Sequence, residues 1–157
     1  MSVLDVEMIY SDLFALVSQV QGSDWTGTPI LLERSTRNYA PIETIPLGQT
    51  PWLQQLELPE ERVRRGRGLS VRKLHALIDI VLQRQPNYPD TQPFSLILNN
   101  FQKSMDVLFE MGDPQTFCAQ NFHNNITDVY FTKISRNEGI LVKPAFIRFW
   151  VEILTAQ

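Results

Sequence analysis

Hydrophobic and polar positions alternate along this chain with two different periods. From Ser2 to Val20 the apolar residues Val6, Ile9, Leu13, Val17 and Val20 recur every three or four positions, and Tyr10 and Phe14 widen the stripe. That spacing predicts an amphipathic helix lying on a core, ended by Gln21-Gly22-Ser23. Pro29-Ile30-Leu31-Leu32 reads as a short buried strand entering a polar stretch with Arg34 and Arg37. Pro41, Pro46, Gly48 and Pro51 then predict an extended connection. From Trp52 to Leu58 the period changes to two. Trp52, Leu56 and Leu58 share one side of a predicted strand, with Leu53 and Glu57 on the other.

Pro59 to Gly68 follows neither period. Its packed charges and its glycines, Gly66 and Gly68, predict a charged loop or arm at 59–68. Residues 69–82 fit two templates. A helix would put Leu74, Leu77, Ile78 and Val81 on one face. A strand would turn Leu74, Ala76, Ile78, Ile80 and Leu82 inward, with Arg72 preceding them on that side, and periodicity does not choose. Phe94, Ile97, Leu98, Phe101, Met105 and Leu108 form one helical stripe within Pro93–Met111, with Gly112-Asp113-Pro114 as the stop. Residues 126–134 and 140–154 read as strands joined by Arg136-Asn137-Glu138-Gly139. In the second, Ala145, Ile147, Phe149, Val151 and Ile153 face one way, and Phe146, Arg148, Trp150, Glu152 and Leu154 the other. Pro144 within that strand predicts a sheet edge or a bulge. The order predicts an α+β fold: one domain over residues 1–157, with a small, mostly antiparallel sheet flanked by two main helices.

Composition narrows the chemistry. At 157 residues and 43% hydrophobic content the chain can fill one core without staples. A net charge of −3 argues against a general polyanion binder. Cys118 has no partner for an internal disulfide, and with His75 and His123 it does not make the usual structural zinc set, so neither a metal nor a cofactor is expected. No run is long and apolar enough to span a membrane, and the start carries Asp5, Glu7 and Asp12 where a signal peptide would be basic, so folding in a reducing cytoplasm is expected. Asn125-Ile126-Thr127 matches a glycosylation pattern and is read as chance.

The phosphate-loop, dinucleotide, nucleophile-elbow and zinc-protease motifs are all missing. His75 reads as a half-buried packing residue and His123 as an exposed turn residue. A Cys118–His123 couple lacks a third group to orient it. No enzyme is expected. The segment that asks for a partner is the arginine run Arg62, Arg64, Arg65 and Arg67, beside Glu60 and Glu61. It admits three readings: a solvated loop balanced by its neighbouring glutamates, a contact with an acidic protein surface, or binding of nucleic-acid phosphates by a small regulatory module. Trp52 joins these six as an interface candidate, because Arg and Trp together are enriched where proteins meet.

Several local strings taken in order resemble the tail terminator (tail-completion) proteins of tailed bacteriophages and phage-tail-like particles. They are the helix around Ser11–Val17, the extended stretch Thr28–Pro51, the charged strand and loop Trp52–Arg67, Arg72–Val81, the long helix Phe94–Met111, and the closing Ile126–Ser135, Asn137-Glu138-Gly139-Ile140 and the apolar strand through Phe149 and Ile153. Where many relatives carry a glycine pair before the penultimate strand, this chain has Phe117-Cys118-Ala119-Gln120. The resemblance implies that residues 69–82 form a strand. It also implies a non-enzymatic virion protein, assembled in the host cytoplasm and located in the tail or neck. Such a protein forms a hexameric ring that caps the tail tube, ends its elongation and joins it to the head–neck connector. The implied partners are further copies of the chain, the tail tube, a sheath protein where the tail has one, and a connector or stopper protein, with genome DNA passing through the ring unbound. Another small neck or head–tail connector protein is the nearest alternative.

Overall fold

A computed structural model describes residues 6–64, 70–84, 94–111, 126–139 and 143–156. Helix α1 (Val6–Val17) buries Ile9, Leu13 and Val17, four residues apart, with Tyr10 beside them. Three short strands follow: β1 (Gln21–Ser23), β2 (Pro29–Leu31) and β3 (Arg34–Thr36). Two single 3-10 turns, Ile42–Thr44 and Leu47–Gln49, punctuate the proline-rich connection. Then come the long strands β4 (Trp52–Arg64) and β5 (Ser70–Leu82), helix α2 (Phe94–Met111), β6 (Ile126–Asn137) and β7 (Ala145–Ala156).

The fold is α+β. The main sheet has the order β3-β4-β5-β7-β6, antiparallel except where β3 runs parallel to β4, and β1 and β2 form a separate antiparallel pair. Both helices lie on the same face of this sheet. The inward residues of β5 (Leu74, Ala76, Ile78, Ile80, Leu82) and of β7 (Ala145, Ile147, Phe149, Val151, Ile153) are buried against Ile9, Leu13, Ile97, Phe101 and Met105 of the helices. Phe109, Phe131 and Phe149 extend this core as a tilted ring stack, with centroids 4.3 and 5.1 Å apart. Arg37 clamps α1 to the sheet, donating from Nη1 and Nη2 to Glu7 (2.6 and 3.0 Å) and from Nε to Glu57 (2.7 Å).

Three expectations are corrected. Residues 59–64 of the predicted loop are strand, continuous with β4; residues 65–68 lie outside the described part. A register shift between Leu58 and Glu61 absorbs Pro59, and β5 is long enough to pair with everything beyond it. Pro144 precedes β7 instead of lying within it, so β7 keeps its ladder hydrogen bonds and sits inside the sheet between β5 and β6. Gln21–Ser23 lies beyond the end of α1 as expected, and it also pairs with Pro29–Leu31 as a hairpin. That second segment is not a buried strand, because only Ile30 turns inward and Leu31 is 66% exposed. Residues 69–82, the stretch with two templates, form a strand from Ser70 onward.

Candidate interaction surface

The second face of the sheet carries the polar residues. Alternation along β4, β5 and β7 puts Trp52 and Gln54, then Val81, Asp79, Leu77, His75 and Lys73, then Phe146, Arg148, Trp150, Glu152 and Leu154 on the side away from the helices. Residues 39–50 fold over one end of this face. Ile45, Trp52 and Val81 make a small second core there, joined by Ala40, Ile42 and Phe146.

A polar knot holds that cover down. The Asp79 carboxylate, 1% exposed, accepts from Arg148 Nε (2.7 Å) and Nη2 (3.1 Å) and from Gln54 Nε2 (3.1 Å). Gln54 in turn donates to the Ala40 carbonyl (2.9 Å) and accepts from the Ala40 N–H (3.1 Å) and from Trp52 Nε1 (3.2 Å). Arg148 also donates to the Tyr39 hydroxyl at 3.0 Å. Asp79 and Arg148 are directly opposed across β5 and β7, so strand register alone brings the pair together. The bond to Asp79 raises the pKa of Arg148, outweighing partial burial. The guanidinium stacks between Phe146 (5.7 Å) and Trp150 (5.9 Å), and Lys133 Nζ sits 4.8 Å from the Trp150 ring. Beside the knot lies a cavity of about 600 Å³, lined among others by Tyr39, Pro41, Ile42, Phe146 and Arg148 and by the charged pair Glu43 and Lys143.

The other end of this face is uncovered by any described residue. Glu152 is its hub: it accepts from the Tyr130 hydroxyl at 2.6 Å and lies 4.0 Å from His75 Nδ1. That bond, with burial adding to it, pushes the Tyr130 phenol up to about 12.

The seven interface candidates scatter. Trp52 is buried under Ile45, with the Arg34 guanidinium 5.0 Å from its ring, and contributes to the second core instead of to a surface. Glu60 accepts from Arg72 Nε (2.6 Å) and Nη2 (2.8 Å), which holds its carboxyl below the usual range. Glu61 faces Lys73 across the hairpin. Arg62 is the candidate left largely in water, 68% exposed and 3.5 Å from Glu60. Arg64 ends β4, and Arg65 and Arg67 lie outside the described residues, as do Cys118 and His123.

The knot of Asp79, Arg148, Gln54 and Tyr39 was not anticipated. Its signal is a lone acid within one apolar strand run and a lone base within another, which becomes a pair only once the register is known. Among the described residues no group of three His, Cys, Asp or Glu could hold a metal ion, and no helix is long and apolar enough to cross a membrane. No family model matches the chain, and no curated protein matches it either.

Proposed function

We propose that the chain is a non-enzymatic structural protein of a phage tail or phage-tail-like particle, acting as a tail terminator. In this reading six copies form a ring on the finished tail tube, stop its growth and present a surface to the head–neck connector. The observation that carries it is the pair of unlike sheet edges. β3 covers β4 only at Trp52–Gln54, so among the described residues the rest of that edge, and the edge of β6 that faces away from β7 from Asp128 onward, pair with no further strand. Open edges favour further pairing, and two different edges favour head-to-tail contacts, the kind that close rings. The observed sequence of helix, extended segment, long hairpin, helix and closing hairpin also follows the order on which the family resemblance rests.

The test is solution mass by light scattering at high protein concentration, with imaging of large species. A six-fold mass and ring-shaped particles are expected. A monomer at every concentration that binds DNA with steep salt dependence overturns the reading in favour of a nucleic-acid module. Replacing Arg62, Arg64, Arg65 and Arg67 together with Ser should weaken ring or tail binding and leave the monomer's Tm nearly unchanged. An equal loss of fold stability removes the arm from the interface.

A further inference from the structure

Two surface features match each other in chemistry and lie on opposite sides of the sheet. The first is the β1–β2 hairpin. Its tip is built tightly: Asp24 Oδ1 accepts from the Thr26 N–H (2.8 Å), the Thr26 hydroxyl (2.6 Å) and the Thr28 N–H (3.0 Å), and Gly27 takes the turn at φ +83°. Its base is tied to α2, where Asn100 Nδ2 donates to the Ser23 carbonyl (2.8 Å) and the Gln21 N–H to Ser104 Oγ (3.3 Å). Gly22 lies so close to Phe101 that a methyl group there would overlap the ring. This ordered hairpin nevertheless holds Trp25 in solvent at 58% exposure, with Pro29 and Leu31 also turned outward. An indole on a preorganised turn loses little entropy on docking, and tryptophan is prominent among the residues that dominate binding energies.

The second feature is the cavity beside the Asp79–Arg148 knot. Its proline, isoleucine and aromatic walls suit a flat apolar ring. Its Arg148 guanidinium already stacks on two rings and keeps Nη1 clear of both Asp79 and Tyr39. Lys143 of the lining is exposed and has no ion pair among the described residues, and Glu43 lines the same cavity.

We propose that Trp25 of one copy of the chain inserts into this cavity on a second copy, with the Asp24 carboxylate meeting Lys143 of its lining. The proposal rests on the ring reading above and names the contact that would build the ring. The hairpin packs on the helix side of the sheet and the cavity opens on the other side, so no patch meets itself. The contact is head-to-tail, leaves a free Trp25 and a free cavity after every addition, and ends only when the ring closes.

The test uses the chain with Cys118→Ser, carrying Thr26→Cys beside an intact Trp25 together with Glu43→Cys, oxidised and run under denaturing conditions. A ladder of covalent multimers with an upper limit is expected, whereas either cysteine alone should give dimers at most. In parallel, Trp25→Ser should weaken self-association roughly 30-fold, the scale of a hot-spot residue, at unchanged Tm. Ring-sized particles without a ladder, and undiminished assembly of Trp25→Ser, overturn this contact and leave the ring reading standing. Absence of any ring at high concentration overturns both.

Discussion

The two faces of the main sheet are made by the same strands and closed by opposite means. On the helix side, β5 from Leu74 to Leu82 and β7 from Ala145 to Ile153 present aliphatic and aromatic residues, with Arg72 and Thr155 as a buried polar pair at one end, and α1 and α2 cover the apolar part by area. On the other side the same two strands oppose Asp79 to Arg148, Leu77 to Trp150 and His75 to Glu152. There the cover is a proline-rich segment held by directed hydrogen bonds to Gln54 and Arg148, which in turn bond Asp79. A face closed by area yields gradually when atoms are removed. A face closed by a buried ion pair yields abruptly, because the partner left behind stays desolvated.

Adjacent residues of β7 give the largest expected contrast. Phe149→Ala should cost about 3–5 kcal/mol, as for a fully buried aromatic leaving a cavity. Trp150→Ala, one position along on the half-buried face, should cost about half of that or less by chemical denaturation. A larger loss at Trp150 would mean that the outer face is itself a core.

Breaking the knot comes next. Arg148→Met should destabilise by about 3 kcal/mol, since Asp79 stays buried without its cation. Adding Asp79→Leu should recover most of that loss, and a double variant as unstable as the single would show that the hydrogen bonds, not the charge, secure the cover. The smallest effect concerns pH. Glu60 titrates below its ordinary value of 4.5 because Arg72 hydrogen-bonds it. Its contribution to stability is therefore complete above about pH 4.5 and is lost as pH falls through the lower folded-state pKa. Glu60→Gln should flatten that part of the acid-unfolding profile and leave the slope near neutrality unchanged.

Much of the helix-side face was legible in the chain. The inward residues of β5 and β7 follow a period of two and those of α1 and α2 a helical period, because burial on one side imposes those spacings on any sequence that fills a core. The choice of strand over helix for residues 69–82 did not follow from spacing and came from the family resemblance. The outer face was largely illegible. Trp52 reads as an interface residue until Ile45 is seen lying over it, and a charged run with Pro59 reads as a loop until β5 supplies partners for Glu61 to Arg64.

What the sequence by itself determined is therefore the two helices, the two closing strands, the α+β class and the identity of much of the apolar core, all of which rest on local periodicity. What only the tertiary structure decided is which strands are neighbours and what lies opposite what. β7 sits inside the sheet, Asp79 meets Arg148 across 69 positions of chain, and Trp25 is held in water on a hairpin anchored to α2. Hydrogen-bond pairing between strands and contacts between distant side chains depend on register and order in the sheet, and no local pattern of polar and apolar residues encodes these.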